Sequence, residues 1–243
     1  MLTKIEGIVL QIIKHNDKNN IVTLYTRQRG RVSFLSSAAS TKRGKVRNAR
    51  LGLMSLVESV VNFKENRDLQ YLGQVESPVP WRNLYFDPMK SAIAFFMAEF
   101  LNKLLNSTEC DPPLWSYLIE SLHHLDRMER GIANFHICFL IRLLPFMGIE
   151  PDLTDYRDGC RFDMIAGTLT DPMAGVTHNN VLDSAVTARL RVLRRMNFRN
   201  MHLYRFSVEE RRYLLSKLMH YYSLHLPIRE EMRSLEVLQT LFC

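Results

Sequence analysis

The chain has 243 residues, of which 47% are hydrophobic and 23% are charged. This composition is typical of a folded globular protein and excludes a disordered, collagen-like or low-complexity chain. The N-terminal sequence MLTKIEGIVL lacks the apolar core of a secretory leader, and the longest apolar stretch, residues 132–149, is interrupted by Arg142 and Pro145. The four cysteines are far apart and form no C-x-x-C pair, which favours a reducing cytoplasm.

The net charge of +7 is distributed unevenly along the chain. Residues 1–80 contain 13 basic and six acidic side chains, whereas residues 81–243 contain 19 of each. All of the excess positive charge therefore lies in the first third. This asymmetry indicates an anionic partner for that part of the chain, and a basic face that only maintains solubility is the alternative.

The first 76 residues have the pattern of short β-strands. The predicted strands are rich in β-branched, leucine and aromatic residues and span residues 7–13, 21–26, 31–35, 53–63 and 69–76. Polar turn sequences separate them. Five strands without an intervening helix predict a small closed barrel, because closure removes exposed sheet edges. We therefore expect a five-stranded OB-fold barrel over residues 1–80.

From Asp87 onward the hydrophobic period becomes helical, which predicts a second, mostly α-helical domain over residues 81–243. The predicted helices span residues 88–105, 112–125, 132–147, 181–196, 208–225 and 233–241. Asp111 before Pro112, and Ser207 three residues before Glu210, are helix start signals. Residues 150–180 are too rich in glycine and proline for a helix. We expect an irregular excursion there, with a hairpin at about 161–169.

The segment 27–50 contains eight positive charges and no acid. These residues are Arg27, Arg29, Arg31, Lys42, Arg43, Lys45, Arg47 and Arg50. A row of nucleic-acid phosphates suits such a segment, because each neutralised phosphate releases a condensed counterion. A solvated loop is the alternative. Tyr25 and Phe34 on the flanking strands are candidates for stacking on unpaired bases, and packing of these rings into the core is the other interpretation.

A second basic group lies on the predicted helix 181–196. Arg191, Arg194 and Arg195 share one face of this helix at spacings of three and four residues. They are candidates for auxiliary DNA contact. Because the surrounding domain has no net charge, pairing of these arginines with its acids is the alternative.

The sequence has none of the motifs by which catalysis is recognised. The phosphate loop G-x-x-x-x-G-K-[ST] is absent, as are H-E-x-x-H, G-x-S-x-G and G-x-G-x-x-G. His220 and His225 are five residues apart, whereas metal-binding histidines on one helical face are four apart. We expect no catalytic residues, no enzymatic activity and no cofactor.

Three sequence pieces, taken in order, resemble the RecO family of bacterial recombination mediators. The first comprises residues 6–10 (EGIVL), 20–26 (NIVTLYT) and 30–32 (GRV), which precede a basic loop as in the family. The second is FLIRLLPFMGIEPDL at residues 139–153, which is similar to a family helix end. The third is MRSLEVL at residues 232–238, which is similar to the family's last helix.

This resemblance implies an OB-fold, a helical domain and binding of single- and double-stranded DNA. It also implies action with RecR, contact with the acidic tail of single-stranded DNA-binding protein, annealing of complementary strands, loading of RecA and a cytoplasmic, nucleoid-associated location. Arg31, Lys42, Arg43, Lys45 and Arg47 match the family's basic strand and loop.

Many relatives in the RecO family have a zinc-binding cysteine cluster after the "PdL" motif. In this chain only Cys160 and His178 offer soft ligands near that place, and a structural site needs four. We therefore expect no zinc. Arg142, the one charge in the central helix, is expected to pair with a buried acid, and contact with a partner's acidic tail is the alternative.

Two rival functions remain open at the level of sequence. In the first, the chain is a protein-interaction scaffold whose basic barrel docks an acidic protein. In the second, it is an enzyme with an unrecognised site in the excursion, built from Asp155, Asp158, Asp163 and His178.

Overall fold

The computed structural model describes residues 2–37, 50–106, 109–171, 173, 175, 178–228 and 232–242. The chain forms two compact units. The first comprises Met1–Met128 and Glu231–Leu241, and the second comprises Glu129–Glu230 and Phe242–Cys243. The domain boundary expected near residue 80 stays a prediction.

The first unit contains a curled six-stranded sheet with the strand order β5-β3-β2-β1-β4-β6. Its strands are β1 (Leu2–Lys14), β2 (Asn19–Thr26), β3 (Gly30–Ser37), β4 (Leu56–Asn62), β5 (Leu69–Tyr71) and β6 (Val75–Glu76). All neighbouring pairs are antiparallel except β3 and β5, which are parallel. This mixed order is consistent with an OB-fold.

The prediction of five strands was wrong, because residues 69–76 form two strands rather than one. β5 pairs with β3, whereas β6 pairs with β4. Gly73 lies between them, and a Cβ atom added there would be 2.5 Å from the carbonyl oxygen of Val60. The chain thus passes directly against β4 where it changes partner, and only a residue without a side chain fits this approach.

The inner face of the curled sheet forms one hydrophobic core. Its buried members are Ile5, Val9, Val22, Leu24, Phe34, Leu51, Val57, Val61, Leu72 and Val75. β2 is buried on both faces, since Thr23 and Tyr25 alternate with these core residues and are also covered. The Tyr25 ring lies 6.2 Å from the ring of Trp115 in the same unit.

The helices are α1 (Pro88–Leu104), α2 (Pro112–Arg127), α3 (Phe135–Leu143), α4 (Ser184–Leu193), α5 (Val208–His225) and α6 (Arg233–Phe242). The predicted start signals are confirmed. The Asp111 carboxylate accepts a hydrogen bond from the Leu114 amide at the start of α2. Ser207 and Glu210 form the complete capping box at the start of α5. None of the described helices has the length and apolar character needed to cross a membrane.

Two predicted helices are shorter than expected. Of residues 132–147, only α3 is α-helical, and 3-10 turns at Ile132–Asn134 and Leu144–Met147 flank it. Pro145 explains the C-terminal change, since it has no amide to donate. Within 181–196, Asp183 caps α4, and the two residues before it pair with a neighbouring strand instead.

One carboxylate anchors the loop that precedes α1. Asp126 of α2 is 6% exposed and accepts hydrogen bonds from the backbone amides of Arg82, Asn83 and Leu84 at 2.8–3.2 Å. The buried Lys90 ammonium donates to the Asp126 backbone carbonyl at 2.8 Å. Burial alone would raise the pKa of Asp126, but the three amides and Lys90 outweigh burial and lower it.

The excursion in the second unit contains a three-stranded sheet with the order β8-β7-β9. Its strands are β7 (Arg161–Asp163), β8 (Thr168–Thr170) and β9 (Val181–Leu182). The predicted hairpin is confirmed as β7 and β8. The carboxylate of Asp163 accepts hydrogen bonds from the amides of Ile165 and Ala166 in the hairpin turn. Gly167, with a φ of 70°, closes that turn.

Candidate nucleic-acid interface

Two of the predicted DNA-binding arginines lie on the turn between β2 and β3. Arg27 is exposed, and its Nη1 lies 3.3 Å from the Glu6 carboxylate. Arg29 is half-buried, and its guanidinium carbon lies 4.0 Å from the centre of the Phe63 ring. The Thr26 hydroxyl fixes the turn, since it accepts from the Arg29 amide at 3.0 Å and donates to the Gly30 carbonyl at 2.9 Å.

The other two described arginines of the segment are held by neutral groups. Arg31 is half-buried on β3 and donates through Nη2 to the side-chain oxygen of Asn102 on α1, at 3.2 Å. Arg50 is exposed and donates to the Val75 carbonyl at 2.8 Å. Arg50 thus contacts β6, whereas Arg31 lies on β3. No described contact brings these two arginines together.

The remaining basic residues of the segment lie outside the described residues. They are Lys42, Arg43, Lys45 and Arg47. Their role in DNA binding stays a prediction.

The assignment of Tyr25 and Phe34 to base stacking is corrected by their burial. Tyr25 is 3% exposed and Phe34 is 0% exposed, so neither ring presents a face to a ligand. Phe34 belongs to the core of the curled sheet. Burial raises the pKa of Tyr25 to about 12, and the nearby Asp111 carboxylate adds to this effect. The core interpretation is therefore the correct one for both rings.

Three residues that were not predicted from the sequence organise the surface around Arg29. Phe63 supports the Arg29 guanidinium, and Thr26 fixes the turn that carries it. Gln70, 2% exposed, bonds both backbone groups of Lys64 at 2.8–2.9 Å and so fixes the β4–β5 loop. Thr26 and Gln70 could have been identified from the sequence as polar residues at strand positions that face inward, each next to a turn.

The second basic group does not form a single free helical face. α4 ends at Leu193, so Arg194 and Arg195 lie beyond the helix. Arg194 Nε lies 3.1 Å from the Glu150 carboxylate, and the Arg191 guanidinium carbon lies 4.8 Å from the centre of the Tyr156 ring. Arg195 is exposed. Pairing with acids of the same unit, the alternative interpretation, thus applies to Arg194, and a DNA role for the group stays a prediction.

The expectation that Arg142 pairs with a buried acid was wrong. Arg142 is exposed near the C-terminal end of α3, because it occupies the outer side of a helix whose other residues are buried. It lines a small cleft together with Arg194, Glu150 and the apolar side chains of Ile141 and Leu190.

The excursion holds together through pairs of polar side chains. His178 Nε2 lies 3.3 Å from the Asp163 carboxylate, and His220 Nε2 lies 2.7 Å from the Asn180 side-chain oxygen. In the part of the chain that the structure describes, no three histidine, cysteine or acidic side chains are grouped as metal ligands. The absence of zinc stays a prediction, as does the absence of catalysis at Asp155, Asp158, Asp163 and His178.

Comparison with known proteins identifies the family. Residues 1–78 match the family model "Recombination protein O N terminal", and residues 85–235 match "Recombination protein O C terminal". The chain is 38% identical to the DNA repair protein RecO of Phocaeicola vulgatus and to that of Bacteroides fragilis, each over the full length of both chains. It is 34% identical to the DNA repair protein RecO of Porphyromonas gingivalis, again over both full lengths. The chain therefore belongs to the recombination protein O family, which supports a role in DNA repair and recombination.

Proposed function

We propose that this protein binds single- and double-stranded DNA through residues 1–80, anneals complementary strands and helps RecR to load RecA. The observation that carries the proposal is the charge asymmetry, since the entire net charge of +7 lies in residues 1–80. The chain belongs to a DNA repair family, which supports nucleic acid as the anionic partner of these residues. We place this activity on an OB-fold formed by the curled sheet.

The proposed mechanism is electrostatic and needs no covalent step. Two phosphate backbones repel each other, and a cationic surface that neutralises both lowers the barrier to their pairing. Arg29 and Arg50 suit this role, because their guanidinium groups contact a ring and a carbonyl rather than a carboxylate. A guanidinium held by a neutral group keeps its full positive charge for a phosphate.

The proposed partners are RecR and the acidic tail of single-stranded DNA-binding protein. The cleft lined by Arg142, Arg194 and the apolar residues of α3 and α4 supports a contact with that tail. The positive charge of Arg142 in this cleft is complementary to an acidic chain.

Charge reversal in the basic segment tests the proposal. The double variant Arg43→Glu and Lys45→Glu should lose annealing of bare complementary strands, measured by a fluorescence-quenching assay without other proteins. The matched control is Arg191→Glu with Arg195→Glu, which changes the same charge in the second unit and should keep annealing. Intact annealing in the first variant would contradict the proposal and would favour a scaffold that docks an acidic protein.

A further inference from the structure

Arg29 lies over the ring of Phe63, an arrangement that suits a base-binding platform. The guanidinium carbon of Arg29 lies 4.0 Å from the centre of the Phe63 ring, and Phe63 in turn packs against the core of the curled sheet. Because a ring covers only one face of a planar guanidinium, the opposite face of Arg29 is not occupied by Phe63. Arg29 remains partly exposed.

Buried polar side chains fix the chain on both sides of this pair. Thr26, 1% exposed, bonds the amide of Arg29 and the carbonyl of Gly30, which has a φ of 57°. Gln70, 2% exposed, accepts from the Lys64 amide and donates to the carbonyls of Lys64 and Arg67. Two exposed turns are thus held in one conformation, so a ligand would meet a surface that is already ordered.

The strand order explains why the two turns meet. β3 and β5 are parallel, with Ser33 opposite Leu69, so the segments that lead into them lie at the same end of the sheet. One segment is the turn that carries Arg29, and the other is the β4–β5 loop that follows Phe63.

The β4–β5 loop adds no net charge beside Arg29. Lys64 and Arg67 are exposed there, but so are Glu65 and Asp68, and the four side chains cancel in net charge. A balanced loop attracts a phosphate backbone weakly. The property of this place that suits a ligand is therefore the flat, cationic face of Arg29.

We propose that the Arg29 guanidinium, supported by Phe63, stacks on one unpaired base of a bound single strand. This inference rests on the proposed function and adds a contact to a base. Arginine planes and aromatic rings stack on nucleobases without strong sequence preference, because every base has a π face. Bases inside a duplex are already stacked on their neighbours, so this contact favours single strands.

The test compares an ordinary single strand with an abasic strand of the same length, which has phosphates but no bases. Arg29→Lys keeps the positive charge and removes the planar group. It should weaken binding of the ordinary strand by roughly tenfold and leave binding of the abasic strand within about twofold. Fluorescence anisotropy with the full chain measures both. Arg157→Lys, at an exposed arginine of the second unit, is the matched control for the exchange and should change neither affinity.

A second variant removes the support and leaves the arginine. Phe63→Leu keeps an apolar side chain against the core, and a thermal unfolding curve checks that it folds. It should reproduce the selective loss on the ordinary strand. Quenching of a 2-aminopurine base in the strand reports the stacking directly and should decrease in both variants.

The outcomes separate this inference from the function on which it rests. Equal losses on the ordinary and abasic strands would show a phosphate contact and would overturn the platform. Unchanged affinity of Arg29→Lys for both strands, with normal binding by the wild type, would overturn the platform alone. A wild-type protein that binds neither strand would overturn the proposed function as well.

Discussion

The arginines of the two units differ in the groups that hold them. In the first unit, Arg29 lies over a ring, Arg31 meets an amide and Arg50 meets a carbonyl, and of the four described arginines in segment 27–50 only Arg27 meets a carboxylate. In the second unit, by contrast, carboxylates meet one guanidinium group within α4 and one directly after its end. Arg189 lies 3.2 Å from Glu210, and Arg194 lies 3.1 Å from Glu150.

Two carboxylates, one from each unit, show a similar contrast. Asp126 in the first unit is buried and held by three neutral backbone amides. Glu150 in the second unit is exposed and faces an arginine. An exposed arginine held by neutral groups keeps its charge available to a ligand, and a buried carboxylate held by neutral amides contributes strongly to folding stability. In an exposed ion pair, by contrast, the two charges largely neutralise each other. The number of charges in the sequence does not show which kind of partner holds each charged group.

The largest effect expected from this difference is at Asp126. Asp126→Ala removes the acceptor for three backbone amides, one of which belongs to the buried Leu84. Hydrogen bonds to a charged acceptor are strong, so we expect a loss of about 3 kcal/mol in the free energy of unfolding. Urea denaturation measures it. A loss below about 1 kcal/mol would show that water replaces the carboxylate.

DNA affinity provides the second comparison. The double variant Arg29→Ala and Arg50→Ala removes two arginines that meet neutral groups, and it should weaken single-strand binding by roughly tenfold and make the salt slope shallower by about 1.4. The matched double variant Arg189→Ala and Arg194→Ala should weaken it by less than about threefold, because both arginines are already paired with carboxylates of the second unit. Equal losses in the two double variants would show that both units bind DNA.

The pH dependence of stability gives a third effect. The pKa of Asp126 in the folded protein is below its ordinary value of 3.8. Its contribution to stability is therefore fully present above pH 3.8 and is lost as the pH falls through the folded pKa. Unfolding free energies between pH 7 and pH 3 should fall less steeply below about pH 4 for Asp126→Asn than for the wild type. If the unfolding free energies of the wild type and of Asp126→Asn fell equally steeply below about pH 4, the lowered pKa of Asp126 would be contradicted.

The smallest effect is expected at the exposed ion pair of the second unit. Glu150→Gln removes the carboxylate that faces Arg194, and both side chains are more than 40% exposed. The free energy of unfolding should change by less than about 0.5 kcal/mol. The same variant serves as the control for Asp126 in the denaturation and pH experiments.

Local sequence signals were sufficient for much of the fold. The span of α5 follows from the capping box at Ser207 and from the helical period after it, and the hairpin of the excursion follows from the turn before Gly167. The division of the strand at residues 69–76 could not be predicted in this way. It depends on which neighbour each half pairs with, and on the approach of Gly73 to Val60, both of which are long-range contacts.

The candidate site was less accessible to sequence reasoning than the fold. The alternation of β2 and β3 identifies two faces but not which of them is covered, and both are covered around Tyr25. Arg31 could not be separated from Arg29 by its spacing, although one meets an asparagine of α1 and the other meets Phe63. These assignments require the tertiary contacts of each side chain.

The salt dependence of single-strand binding tests the central claim most directly. If the basic surface of the first unit neutralises a row of phosphates, the logarithm of the binding constant should fall linearly with the logarithm of salt concentration. The expected slope is about −0.7 per phosphate, or roughly −3 to −5 for five to seven contacts. Titrations of the wild-type protein with a single-stranded oligonucleotide at several salt concentrations give this slope. A slope near zero would contradict the account.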